Sequence, residues 1–180
     1  MNKTNLHIDI YTLGPKGTNC ELAAQYWLNK NGHNGTIHLR STLEYAIEEA
    51  KTNKNEAIVL GCIVYHKLHH LVFQNIKEFY LSDCFIMPTH EMILATKVLP
   101  EHIKTIATHP APVDLIPYND QYKLKLVNSN SQAALECKQG NVDACITTMK
   151  SAINNNLQPL KNFGSVNMGF SIHCRYIDQN

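Results

Sequence analysis

The chain has 180 residues, of which 44% are hydrophobic and 17% are charged, and its formal net charge is +1. This composition supports one substantial core or two small lobes, and it excludes an intrinsically disordered chain. The balanced charge argues against nucleic acid as a partner, and no apolar run reaches the length of a membrane span. The N-terminus has no apolar core of signal-peptide length, so we expect a cytoplasmic protein without a membrane partner.

The first half of the chain alternates between strand-like and helix-like patterns. Strands are predicted where apolar residues alternate or run continuously, at 7–13, 36–40 and 56–64. Helices are predicted where apolar residues recur at helical spacing, at 19–31 and 43–53. The segment 66–76 is ambiguous, and an extended segment at 85–97 is interrupted by Pro88.

The second half repeats this alternation on a smaller scale. Strands are predicted at 104–109, 122–128, 143–148, 158–163 and 166–176. Helices are predicted at 131–140 and 149–156, with a short helix or turn at 110–118. The pattern favours an α/β fold in two lobes, with 1–97 and 164–180 in the first and 98–163 in the second. A cleft between such lobes is where a ligand is expected, at the carboxyl ends of strands.

Three predicted helices begin with a Ser or Thr followed three residues later by Glu or Gln, which is the pattern of a capping box. The pairs are Thr18 with Glu21, Ser41 with Glu44, and Ser129 with Gln132. The first is preceded by TLGPKGT, in which Gly14 and Gly17 would allow close approach of a ligand to the backbone. Lys16 adds a cation. The stretch therefore fits either a tight corner or an anion site at a helix N-terminus.

The cysteines and histidines give no firm metal signature. The six cysteines form no C-x-x-C pair and are expected to be free thiols, mostly buried. Among ten histidines, His66 and His70 would share one helix face, but the glutamate of a zinc-binding H-E-x-x-H motif is missing. We therefore predict neither a metal nor another cofactor.

Several segments together resemble one enzyme family. The stretch YTLGPKGTNCELAA (11–24) resembles the opening of the prephenate dehydratase domain, and FIMPTHEMILA (85–95) is similar to a later strand of that domain. The stretches ATHPAPVDLI and KLVNSNSQAALECKQGNVDACITT look closest to the prephenate decarboxylases of the bacilysin (anticapsin) type of pathway. The resemblance implies a two-lobed, periplasmic-binding-protein-like (type II) fold, a lyase acting on the dicarboxylate prephenate, and self-association, for which a homodimer is the expectation. No apolar stripe in the sequence identifies an interface.

The sequence departs from the dehydratase pattern at two places. Dehydratases carry Thr-Arg-Phe near the final strand, with the threonine implicated in protonating the departing hydroxyl, whereas Gly169 and Phe170 stand there in this chain. The family's Glu-Asn-Ser segment is replaced by VLGCIVYHK (59–67), and the chain has no room for a regulatory ACT domain. These departures favour decarboxylation without loss of the hydroxyl. The alternatives are a dehydratase with another acid, or a non-catalytic protein that binds a small carboxylate.

The resemblance and the helix starts together suggest a set of site residues. The first lobe would face the ring of the substrate, through Gly14, Pro15, Lys16, Gly17, Thr18, Met168, Gly169 and Phe170. The second would bind the pyruvyl carboxylate and keto group, through Ser129, Asn130, Ser131, Gln132, Thr147 and Thr148. His109 and His66 are candidate proton donors, with His69 as a further one. The alternative for Met168 and Phe170 is a place in the strand core, and the alternative for His109 is capping of a turn.

Overall fold

A computed structural model of the chain describes residues 7–116 and 119–176. Within these residues the chain forms two compact units, the first comprising 7–87 and 167–176 and the second 88–166. The second unit thus begins at Pro88, whereas the sequence suggested residue 98. The ends of the predicted first lobe, 1–6 and 177–180, lie outside the described residues, as do the last two of the predicted turn at 110–118.

The α/β class is confirmed by an alternation of helices and strands along the described residues. In chain order the elements are β1 (His7–Leu13), α1 (Asn19–Asn31), β2 (Asn34–Arg40), α2 (Leu43–Thr52), β3 (Ala57–Cys62), α3 (Leu68–Gln74), β4 (Phe79–Pro88), β5 (Met92–Thr96), β6 (Thr105–Thr108), β7 (Lys123–Leu126), α4 (Asn130–Lys138), β8 (Ala144–Thr148), α5 (Met149–Asn154), β9 (Gln158–Gly164) and β10 (Asn167–Arg175). None of the described helices is long and apolar enough to cross a membrane.

The first unit is built on a sheet with the strand order β2-β1-β3-β10-β4. Strands β1, β2 and β3 are parallel, and β10 runs antiparallel to β3. Side chains of β1 alternate between the two faces of the sheet, so Ile8 and Ile10 pack with α1 while Tyr11 packs with α2 and α3. Each face therefore has its own apolar cluster.

The second unit has a sheet of order β7-β6-β8-β5-β9. Strands β6, β7 and β8 are parallel, whereas β5 is antiparallel to both of its neighbours. Small residues let α4 lie close to this sheet, since Ala133, Ala134 and Cys137 are all buried against it. The edge of the sheet at which β6 and β8 end also receives the N-terminus of α4.

Local signals explain where most helices begin and end. Thr18 and Ser129 are the N-caps of α1 and α4, as predicted, and Gly32 ends α1 in the left-handed conformation with φ of 65°. The capping residue of α2 is Thr42 rather than Ser41: its hydroxyl accepts the N–H of Tyr45 at 3.1 Å. The prediction of Ser41 was wrong by one residue, because Thr42 supplies the capping hydroxyl although the residue three positions later is Tyr45 and not the Glu or Gln of a capping box.

Candidate functional site

Two predicted substrate-binding segments of the first unit lie on the same edge of its sheet. The loop Gly14–Thr18 follows the carboxyl end of β1, and the antiparallel β10 begins beside the carboxyl end of β3. Only β3 separates β1 from β10, which corresponds to a distance of about 10 Å. This edge therefore brings together the groups that the sequence assigned to the ring of the substrate.

The loop Gly14–Thr18 uses much of its hydrogen-bonding capacity internally. The N–H of Gly14 donates to the carbonyl oxygen of Arg40 at 2.7 Å, and the N–H of Gly17 donates to Oε2 of Glu21 at 2.5 Å. Thr18 caps α1, and Gly17 has a φ of 88°, which favours glycine. These internal hydrogen bonds fix the conformation of the loop, as the tight-corner interpretation predicts.

Several of the groups that could bind an anion at this corner already have partners within the protein. The Glu21 carboxylate lies at the N-terminus of α1, where an anion is favoured, and Pro15 has no N–H to offer. A Cβ on Gly14 would approach Cβ of Leu39 to 3.1 Å, so packing against β2 also accounts for this glycine. Lys16, which is exposed, is the cation that this loop offers to a carboxylate.

Residues 168–170 lie at the start of β10, and their side-chain positions differ in burial. Phe170 is only 1% exposed, and its ring stacks on that of Phe85 with centroids 5.7 Å apart. The core alternative therefore describes Phe170, because a side chain covered in this way has no free surface for a substrate. Met168 is half-buried against the same cluster. A Cβ on Gly169 would lie 2.4 Å from Cδ1 of Ile63, so Ile63 occupies the space that a side chain there would need.

In the second unit, the predicted residues of α4 form a compact polar start to the helix. Ser129 accepts the N–H of Gln132 at 3.0 Å, and the hydroxyls of Ser131 and Ser151 lie 3.1 Å apart. The Gln132 side chain donates to Glu136, so it does not complete the capping box. The buried Oδ1 of Asn130 has no hydrogen-bond partner among the described residues. Among the predicted binding residues of α4, Asn130 therefore has a buried oxygen that can still accept a hydrogen bond.

The two threonines at the end of β8 serve the fold. Thr147 is fully buried and donates its hydroxyl to the carbonyl oxygen of Asn130 at 2.6 Å. Thr148 caps α5: it accepts the N–H of Ser151 and donates to the hydroxyl of the same residue at 3.0 Å. Both hydroxyl protons are thus used internally, which contradicts the prediction that they donate to a substrate. No local pattern could show the contact of Thr147, whose acceptor lies 17 positions away in the chain, whereas the cap made by Thr148 joins residues only three apart.

The candidate proton donors lie in different surroundings. Nδ1 of His109 accepts the N–H of Ala111 at 3.2 Å, which is the turn-capping arrangement foreseen as its alternative. His66 is exposed beside the ring of Tyr65, and His69 is exposed on α3. A proton-donating role for any of the three stays a prediction.

Sequence reasoning missed the buried His173. Its Nε2 lies 2.9 Å from the hydroxyl oxygen of Ser171, and burial lowers the pKa of the imidazole. The alternation NMGFSIH contained a signal, since Ser171 and His173 occupy the same face as each other on β10. Arg175, two residues further, donates to carbonyl oxygens at the end of α2, including that of Lys51 at 3.1 Å. It therefore stabilises a helix C-terminus.

Ligands for a metal do not converge in the part of the chain that the structure describes, where no group of three or more His, Cys, Asp or Glu side chains could hold an ion. The six cysteines, all of them described, are free thiols. Burial raises the pKa of Cys20 to about 12, so this thiol stays protonated beside the first-unit edge.

Comparison with solved structures identifies the class of fold. The chain superposes on the prephenate dehydratase of Arthrobacter aurescens with a TM-score of 0.70 at 17% identity, covering 96% of this chain but 61% of that one. It also matches a periplasmic substrate-binding protein of an ABC transporter from Coxiella burnetii, with a TM-score of 0.53, 16% identity and coverage of 94% and 84%. The predicted periplasmic-binding-protein-like fold is confirmed. The chain spans about three fifths of the dehydratase.

Comparison with curated proteins identifies the family. The chain is 31% identical over 183 aligned positions to the prephenate decarboxylase of Bacillus subtilis (strain 168), covering 92% of this chain and 85% of the relative. It is 29% identical over 180 positions to that of Planktothrix agardhii (strain NIVA-CYA 126/8), covering 89% and 85%. No protein-family model matches the chain. The chain belongs to the prephenate decarboxylase family.

Proposed function

We propose that the protein is a carbon–carbon lyase that decarboxylates prephenate and retains the ring hydroxyl. The observation that carries this proposal is the 31% identity to a prephenate decarboxylase over 92% of the chain. The start of β10 supports it, because Met168, Gly169 and Phe170 carry no group that can protonate a departing hydroxyl. The resemblance to the bacilysin type of pathway favours a role in making a secondary-metabolite amino acid in the cytoplasm.

The chemistry requires little beyond binding and shielding. When the ring carboxylate leaves as CO2, the electron pair of the broken carbon–carbon bond enters the diene. In a dehydratase this pair expels the hydroxyl, which must be protonated as it leaves. Without an acid at that position, a ring carbon takes up a proton instead, and the alcohol stays in place. The protein contributes by holding the pyruvyl end firmly and keeping the leaving carboxylate poorly solvated.

Within this proposal, the start of α4 binds the pyruvyl end of the substrate. Ser129 and the first N–H groups of α4 carry the partial positive charge of a helix N-terminus, which favours a carboxylate. The unsatisfied Oδ1 of Asn130 is an acceptor, so it suits a water that bridges to the pyruvyl carboxylate rather than the carboxylate itself, and a buried acceptor without a partner is costly.

Incubation with prephenate, followed by absorbance and mass spectrometry of the products, tests the proposal. We expect release of CO2 and a product that keeps the hydroxyl oxygen. Phenylpyruvate would instead identify a dehydratase, and unchanged prephenate that nevertheless binds in calorimetry would identify a binding protein.

A pair of variants in the same assay tests the role of α4. Asn130→Ala should raise KM for prephenate by about tenfold, since Oδ1 loses its hydrogen bond to the water that bridges to the substrate. Asn141→Ala removes the same amide just beyond the other end of α4, where Asn141 is exposed and contacts Glu136, and should leave KM unchanged. Equal effects of the two changes would remove Asn130 from the site, and circular dichroism would check that both variants fold.

A further inference from the structure

The side chain of Ile63 covers the backbone of Gly169 at the start of β10. The register of β3 and β10 pairs Phe170 with Cys62. One position further, Gly169 lies opposite Ile63, and its carbonyl oxygen accepts the N–H of Ile63 at 3.1 Å. Residues that lie directly opposite each other on neighbouring strands place their side chains on the same face of the sheet. The two positions therefore share one space, and Ile63 fills it.

Packing, and not backbone conformation, explains the glycine at position 169. Gly169 is buried although it is only the third residue of its strand, and its φ lies outside the positive range that favours glycine. A Cβ on Gly169 would lie 3.0 Å from Cγ1 of Ile63 and closer still to Cδ1 of the same residue. A side chain at position 169 therefore fits only if Ile63 turns away.

The opposite side of Ile63 is open to solvent. Ile63 is 55% exposed, and it lines a groove of about 410 Å³ between α3 and the outer strands of the sheet. The same groove is lined by the exposed His69 and by Tyr65, whose hydroxyl donates to Glu44 at 2.8 Å. Shortening the side chain of Ile63 would therefore connect the backbone of Gly169 with the solvent and the histidine of this groove.

We propose that Ile63 is a specificity-determining residue, which retains the ring hydroxyl of prephenate by excluding water and proton donors from the start of β10. The inference rests on the proposed function, in which the substrate ring lies at this sheet edge. The apolar surface that Ile63 exposes is then the surface that the hydroxyl end of the ring meets.

The chemistry gives such a cover a direct effect on the product. Once CO2 has left, the electron pair either takes up a proton at a ring carbon or expels the hydroxyl, which leaves as water after it has gained a proton. The lack of an acidic side chain at position 169 does not by itself prevent the second path, because a water molecule there could deliver the proton. An apolar side chain that fills the space excludes the water as well.

The ratio of the two products tests the role of Ile63. Wild-type protein with prephenate near neutral pH should form phenylpyruvate no faster than a sample without enzyme. Ile63→Ala should raise phenylpyruvate formation about tenfold above that level, because water reaches the hydroxyl, whereas Ile63→Val keeps a larger apolar cover and should raise it less. Ile76→Ala is the matched control, since Ile76 is 54% exposed in the same unit but does not line the groove, and it should keep the wild-type ratio.

A second substitution tests whether the two positions share one space. Gly169→Ser adds a hydroxyl that can hold a water molecule or relay a proton, but Ile63 occupies the position of this side chain. Gly169→Ser should therefore raise phenylpyruvate formation more in the Ile63→Ala background than in the wild type, since neighbouring side chains give coupled effects. Circular dichroism and a cooperative unfolding transition would establish that each variant is folded.

The possible outcomes separate this inference from the proposed function. A wild type that releases CO2 and keeps the hydroxyl, together with an unchanged product ratio in Ile63→Ala and in the double variant, would overturn the role of Ile63 and leave the proposed function intact. A loss of stability in Ile63→Ala without a change in the ratio would assign Ile63 to packing, with the same consequence. Phenylpyruvate from the wild type, or unchanged prephenate, would overturn both.

Discussion

At the scale of single residues, a substitution of Phe170 can distinguish a structural role from contact with the substrate. Its ring is buried against Phe85 in the core of the first unit. Phe170→Leu should therefore lower the free energy of unfolding by about 1–2 kcal/mol and leave KM for prephenate unchanged. Urea unfolding and steady-state kinetics measure the two effects. A change in KM without a loss of stability would show that the ring lines the binding site after all.

The sequence predicts which residues lie near a sheet edge better than it predicts what their side chains do. Ser129 was found from the capping pattern because both partners are local. The role of Thr147 depends on a carbonyl 17 positions away in the chain, which no local pattern reveals. The same limit hid the contact between Ile63 and Gly169 and the orphaned oxygen of Asn130. Chemistry that depends on long-range contacts has to be seen in the fold.

At the scale of elements, the start of α1 depends on an internal carboxylate. Glu21 accepts the N–H of Gly17 and lies in the first turn of the helix, where a negative charge is favourable. Glu21→Ala should lower the free energy of unfolding by about 1–2 kcal/mol, because it leaves that N–H without its partner. Glu21→Gln keeps an acceptor and should cost less. Chemical denaturation of the two variants checks the order, and a larger loss for Gln would contradict it.

Strands β4 and β5 show why the sequence predicted these two elements only in part. Phe79 packs with Leu71 on one face of the sheet, whereas Phe85 and Met87 pack with α1 on the other, although all three β4 positions are odd-numbered. The alternation therefore shifts within β4, and a period-two pattern detects only its second half. β5 was predicted as extended, but its partner β8 lies about fifty residues further along the chain. The periodicity of apolar residues identifies a strand, but it does not show which other strands that strand pairs with.

At the scale of the whole molecule, stability should fall in two stages as the solution becomes more acidic. Carboxylates that are hydrogen-bonded in the folded state dominate the lower stage. The hydroxyl of Thr105 and the backbone N–H groups of Lys104 and Thr105 lower the pKa of Asp143, and the Lys125 ammonium with two amide donors lowers that of Glu136 to about 2. Their contribution is complete above the ordinary carboxyl pKa, near 4, and is lost as the pH falls through the lowered values.

The loss of stability at the higher pH is assigned to His173, and a single substitution can test this assignment. Burial lowers the pKa of His173 below its ordinary value of 6.5, so the unfolded chain binds this proton more readily than the folded chain. Its contribution is therefore complete above about pH 6.5 and falls below it, by at most about 1.4 kcal/mol for each pH unit. In urea unfolding between about pH 5 and pH 8, His173→Gln should flatten this slope, because glutamine does not titrate. The exposed His66 provides the control: His66→Gln should retain the wild-type slope, and an unchanged slope in His173→Gln would assign the pH dependence to other groups.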